Sequence, residues 1–184
     1  MSTNNRLRLG ALVLLLPLVF AAGQANPDPT RFQSEIDAFR QWDEKNAVPE
    51  HPVLFIGSSS IRMWRTAKAF PALPAVNRGF GGAQISDLLF YLDDILLKYP
   101  APSVILVYCG DNDVAGGKSA ETVLRDYQVL VETAWSAFPQ TPIVYLPIKP
   151  SPNRWNLWPV MAQANALIRE FCEQHDLLLY ADTA

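Results

Sequence analysis

Cysteine and histidine are both scarce: the 184 residues hold two of each, Cys109 and Cys172, His51 and His175. Two thiols with no C-x-x-C pair exclude a disulfide framework and a thiolate zinc site, and two histidines exclude a His-rich metal centre. Cations are few and scattered, 15 Lys+Arg against 18 Asp+Glu for a formal charge of -3. No basic face is therefore offered to a phosphate backbone, and nucleic acid is excluded as a partner. No G-K-[ST] follows a glycine-rich loop, and the first strand-to-helix turn carries no G-x-G-x-x-G, so a bound nucleotide is unsupported. The longest apolar run, Leu9 to Ala22, is about 14 residues and contains Gly10 and Pro17. That is short of the ~20 residues a membrane-spanning helix needs.

What is present is enough apolar material for one core: 49% of the residues are hydrophobic and 18% charged, in a length suited to a single domain. Residues 1–25 read as a secretory signal peptide, with Arg6 and Arg8 ahead of the apolar run and small residues up to Ala25. Its removal takes away two arginines and leaves 13 Lys+Arg against 18 Asp+Glu, a formal charge of -5. The expectation is an exported protein, periplasmic or extracellular in a bacterium, with no stable membrane span after cleavage. Residues 26–184 form the domain.

Within that domain short apolar runs alternate with helical patterns. Phe32, Ile36, Phe39 and Trp42 recur at helical spacing in a helix that ends before Pro49. The strand candidates are Val53 to Ile56, a weak Ala75 to Asn77, Ser103 to Tyr108, Pro142 to Leu146 and Leu177 to Tyr180. Between them, helices are expected over Gln84 to Tyr99, over Ser119 to Phe138 with Ser119 as N-cap, and over Pro159 to His175. Strand runs separated by helices imply a five-stranded parallel sheet in a three-layer α/β/α sandwich with right-handed crossovers. In such sheets the chemistry lies in the loops at the carboxyl ends of the strands.

Those loops carry Gly57-Ser58-Ser59-Ser60, Asn77-Arg-Gly-Phe-Gly-Gly82, Gly110-Asp111-Asn112-Asp113 and Lys149-Pro-Ser-Pro-Asn-Arg-Trp155. The first puts a hydroxyl just beyond a buried strand, where it is either a nucleophile or a simple N-cap. Glycines in the second let backbone N–H groups approach an anion. In the third, Asn112 can donate to an oxyanion where an aspartate cannot, or it can close an Asx turn.

Taken together these blocks resemble the SGNH/GDSL hydrolase family, nearest its small secreted esterase-like members, over roughly residues 50–182. The resemblance implies a flavodoxin-like SGNH fold and a serine esterase that needs neither cofactor nor metal. Its substrate would be a small-molecule ester or an acylated carbohydrate or lipid. It places Ser59 as the nucleophile, with Gly82 and Asn112 in the oxyanion hole. The family usually has Asp where this chain has Ser58, a position that is neither nucleophile nor base.

One block of the pattern has no counterpart. The family takes its base from a late D-x-x-H segment, whereas this sequence ends Tyr180-Ala-Asp-Thr-Ala184. His51 precedes the first strand and Ser59 follows it, so about 3.3 Å per strand residue separates them by ~13 Å or more. His175 enters the fifth strand from the same edge. A general base must lie within about 3.2 Å of its proton or one water away, so neither histidine qualifies. Asp111, Asp113 and Asp182 are weak bases for a serine hydroxyl. The domain is therefore expected to be C-terminally incomplete, and the alternative is a catalytically impaired domain that binds acyl groups or glycans. Trp155 and Trp158 are expected on the cleft side of the fourth strand, while Arg154 reads as a surface cation and Trp42, Trp64 and Trp135 as helix packing.

Overall fold

The five apolar runs pair in parallel, in the order β2-β1-β3-β4-β5. In this computed structural model, residues 26–182 are described, and the signal peptide expected over residues 1–25 lies outside them. The strands are β1 (Val53–Gly57), β2 (Ala75–Gly79), β3 (Val104–Tyr108), β4 (Ile143–Tyr145) and β5 (Leu178–Tyr180). Register runs Val53 to Ala75 on one side of β1 and Val53 to Val104 on the other. It continues from Ile105 to Ile143 and from Ile143 to Leu178. Every residue of β1 is buried, which is why this strand reads as an unbroken apolar run rather than an alternating one.

The main helices are α1 (Gln33–Lys45), α2 (Ser59–Met63), α3 (Thr66–Ala69), α4 (Ile85–Phe90), α5 (Asp111–Ala115), α6 (Ala120–Ala137) and α7 (Trp158–Glu173). Alternation along β1 separates the two cores. Leu54 and Ile56 join Ile36 of α1, Leu88 of α4, Val131 of α6 and Ile168 of α7 in the larger one. Val53 and Phe55 face the other way, against Ile61 of α2 and the partly buried Trp64 and Phe70. Phe55, Trp64 and Phe70 form an aromatic trio with centroids 5.4 to 5.7 Å apart. Farther along that second face Leu106 and Val144 are only half-buried, and Leu179 is 51% exposed.

Ser119 caps α6 as expected, accepting a hydrogen bond from the Thr122 N–H at 3.3 Å. The segment after residue 84 departs from the expected single helix. α4 stops at Phe90, and a wider π-type turn takes over at Asp93–Leu97. Its apolar face is unchanged, with Leu92, Ile95 and Leu96 all buried. Asp94, within this turn, receives two hydrogen bonds of 2.8 Å from Arg40 on α1. Tyr91, at the break, donates its phenol to the Pro29 carbonyl at 3.1 Å. Both contacts join distant segments, whereas the apolar period tells only which side chains point inward.

At the edge strand β2, Arg78 is 4% exposed. It donates to Tyr99, to Asp43 and, at 2.8 Å, to the Asn77 carbonyl. The Trp42 ring lies 4.8 Å from this guanidinium and is itself 42% exposed. Trp42 thus covers a buried cation instead of filling a helix interface, whereas Trp64 and Trp135 do pack onto the two cores.

Candidate active site

The strand order reverses direction at β1 and β3, so the crevice above their carboxyl ends is where an open α/β sheet binds its ligand. Three loops meet there, the first two through backbone contacts and the third through a side-chain amide. Gly57 ends β1 with φ +143°, and a Cβ on it would stand 2.0 Å from the Tyr108 carbonyl oxygen. Glycine is required at that approach. The chain then folds over β3, with the Ser58 N–H donating to Tyr108 O at 2.9 Å, and the Phe80 N–H of the second loop donating to Gly57 O at 3.0 Å. The third loop joins the second where the Asn112 amide donates to Ala83 O at 3.0 Å.

Ser59 is the first residue of α2 and is partly exposed. Its hydroxyl and N–H have no hydrogen-bond partner among the described residues. Ser58 is fully buried, its hydroxyl directed at Asp111 at a long 3.5 Å. Ser60, on the other side of Ser59, accepts from Lys149 Nζ at 2.7 Å. Of the three serines, Ser59 is the one whose hydroxyl makes no hydrogen bond among the described residues.

Gly82 has φ +83°, and a Cβ built on it meets nothing within 4 Å. Backbone conformation is therefore what makes this position glycine, in contrast to the crowding at Gly57. Gly82→Ala is expected to lower stability by about 1–2 kcal/mol through the left-handed backbone alone. A urea midpoint unchanged from the parent protein would contradict this.

Asn112, on α5, is held at both ends of its amide. Nδ2 donates to Ala83 O, and Oδ1 accepts from Arg154 Nη2 at 2.9 Å. The other guanidinium nitrogen, Nη1, bonds Asp111 at 2.9 Å. Arg154 is thus an ion-paired support for the third loop, with its side chain 33% exposed, and not a free surface cation. Charge and sequence position alone could not distinguish these roles.

Beneath Asn112 lies a second unexpected support. Asp113 is fully buried, and it accepts from the Ile85 N–H at 3.1 and 3.2 Å and from Lys118 Nζ at 3.0 Å. Lys118 also reaches Asp126 at 2.7 Å. Burial pushes the Asp113 carboxyl above its usual range against the pull of Lys118. Lys118 belongs to no motif in the sequence, although its place just after Gly116-Gly117 puts it close to Asp113 along the chain.

The remaining chemistry-bearing residues stand apart. His51 bonds the Ala101 carbonyl at 3.1 Å ahead of β1. His175 bonds Phe171 O at 2.9 Å and packs on Trp135 ahead of β5. Both therefore lie at the amino edge of the sheet, opposite Ser59. Cys109 is wholly buried, and burial drives its thiol well above the ordinary range, so it offers no thiolate. Asp182 follows β5 and meets Arg169 at 3.4 Å. Trp158 packs against the larger core, whereas Trp155 is 63% exposed. Among the described residues no three of His, Cys, Asp and Glu converge as a metal site, and no helix is long and apolar enough to cross a membrane.

A five-stranded parallel sheet in this order with helices on both faces is a flavodoxin-like α/β/α sandwich. The chain belongs to the GDSL-like Lipase/Acylhydrolase family, whose profile matches residues 57–183. It is 28% identical over 179 residues to the human platelet-activating factor acetylhydrolase IB subunit alpha1, covering 88% of this chain and 74% of that protein. Among solved structures, a putative platelet activating factor protein from Streptococcus pneumonia superposes with a TM-score of 0.70 at 22% identity, covering 80% of this chain and 72% of that one. A catalytic mutant of Axe2, an acetylxylan esterase from Geobacillus stearothermophilus, gives 0.59 at 18% identity, over 74% and 78% of the two chains.

Proposed function

We propose that this protein is an exported serine esterase in which Ser59 is the nucleophile. The observation that carries the reading is the Asn112 amide, held by Ala83 and Arg154 with one Nδ2 hydrogen left over, on a loop whose Asp111 lies 3.5 Å from the hydroxyl of Ser58, the residue before Ser59. In the proposed reaction Ser59 Oγ attacks the ester carbonyl while a base takes the hydroxyl proton. The N–H groups of Ser59 and Gly82 and the Asn112 amide receive the tetrahedral oxyanion. Collapse expels the alcohol, which takes the proton back from the base, and water then releases the acyl group from Ser59.

His51 and His175 lie on the far edge of the sheet, so among residues 26–182 no histidine stands within reach of the Ser59 hydroxyl. Export is supported by Arg6 and Arg8 ahead of the apolar run. The names of the human relative and the Geobacillus enzyme both specify acetyl esters, which makes an acetyl ester the first substrate to try.

The test is turnover of p-nitrophenyl acetate by the purified protein beside Ser59→Ala prepared identically, with circular dichroism as the folding check. Activity lost in Ser59→Ala is the expected result. Equal rates in two folded proteins would favour a non-catalytic acyl- or glycan-binding domain.

A further inference from the structure

We propose that Arg154 is a positioning residue for the oxyanion amide: it fixes which end of Asn112 faces the crevice and polarises its remaining N–H. The inference rests on the reading of Asn112 as an oxyanion donor, and deepens it. Asparagine oxygen and nitrogen are easily exchanged in a structure, but here both partners are unambiguous. The Ala83 carbonyl can only accept and the Arg154 guanidinium can only donate, so Nδ2 must face Ala83 and Oδ1 must face Arg154. Of the two Nδ2 hydrogens one is taken by Ala83, which leaves the other to a developing oxyanion.

A cation bonded to an amide oxygen draws electron density through the C–N bond and makes the N–H a stronger donor. It also opposes a flip that would turn Oδ1 toward a negative oxygen. Arg154 itself is kept in place by Asp111, on whose Oδ2 the second guanidinium nitrogen sits at 2.9 Å. The Ser58 hydroxyl, 3.5 Å from Asp111 Oδ1, adjoins this chain of contacts on the nucleophile side. Arg154 comes from the short 3-10 helix Pro152–Leu157 after β4. The β4 loop thereby controls a donor carried by the β3 loop, and a lysine, with one nitrogen at its tip, cannot hold Asp111 and Asn112 in this forked manner.

The experiment combines kinetics with a readout that needs no turnover. On p-nitrophenyl acetate, Arg154→Ala is expected to lower kcat roughly 10- to 50-fold with little change in KM, and Arg154→Lys to recover part of that loss. In an Asn112→Ala background the same change should cost less than about twofold, because the group it positions is gone. An equal loss in both backgrounds, or a rise in KM at constant kcat, would overturn the proposal.

Independently, the Asn112 side-chain amide pair is assigned in a nitrogen–proton correlation spectrum by its disappearance in Asn112→Ala. In folded Arg154→Ala this pair is expected to move upfield and its two hydrogens to interchange faster. An unchanged pair would sink the proposal even in a protein with no measurable turnover. Turnover that persists in Ser59→Ala points instead to failure of the nucleophile assignment, and the amide spectrum still decides the role of Arg154.

Discussion

Asn112→Ala is expected to lower kcat on a short ester about 100-fold or more, equivalent to about 3 kcal/mol in the barrier. The Ser59 and Gly82 N–H groups remain, so some catalysis should persist. The structure adds a smaller cost in stability. Ala83 O loses its donor and Arg154 loses one of its two partners, although Asp111 still holds it. About 1–2 kcal/mol is expected for these contacts, too little to unfold the protein. Asn112→Asp separates the two effects. An aspartate keeps the size and still accepts from Arg154, yet offers no N–H and sets a third carboxylate beside Asp111 and Asp113. It should be at least as inactive as the alanine variant. Steady-state kinetics of the two variants, with thermal unfolding alongside, decide the matter, and activity retained in Asn112→Asp would remove the amide from the oxyanion hole.

The strands and the loops at their ends were legible because burial writes itself locally. A strand buried on both faces, such as Val53–Gly57, must be continuously apolar, and the glycines around it mark where backbones approach closely. Ser119 was legible for a similar reason, since an N-cap is satisfied within its own first turn. The interruption after Phe90 was not, because the apolar face continues across it while the polar contacts that accompany it come from distant Arg40 and Pro29.

The cations behaved likewise. Arg78, Lys118 and Arg154 look like ordinary solvated side chains in a sequence with an acidic balance. Each instead reaches carboxylates that folding brings to it, Asp43 for Arg78, Asp113 and Asp126 for Lys118, and Asp111 for Arg154. The supports of the candidate site were therefore harder to pick out than the residues proposed to react. A nucleophile or an oxyanion donor is restricted by its chemistry, whereas a buttress is defined by what it touches.

Lys118→Met is expected to destabilise the protein by about 3–5 kcal/mol, because it leaves the Asp113 carboxylate buried with no cation. The Lys118 side chain is 3% exposed and that of Asp113 fully buried, whereas Asp126, at 23%, can turn to water. For a domain of this size the melting temperature should fall by roughly 6–20 °C. The pH dependence identifies the cause. Burial already raises the folded-state pKa of Asp113 above 3.8, and losing Lys118 raises it further. A carboxyl of that kind binds its proton more tightly folded than unfolded, so its contribution to stability grows as pH falls below the folded value and is lost as pH rises through it. The gap between parent and variant should accordingly narrow with falling pH, and Asp113→Asn/Lys118→Met should recover much of the stability at neutral pH. A gap constant with pH would mean that lost packing of the lysine stem, not an unpaired charge, is responsible. The consequence reaches the site because Asp113 ties the Asn112 loop to the Ile85 N–H, three residues beyond Gly82. Loosening that tie lets two of the proposed oxyanion donors drift apart, so residual Lys118→Met activity should fall even at temperatures where the variant is fully folded.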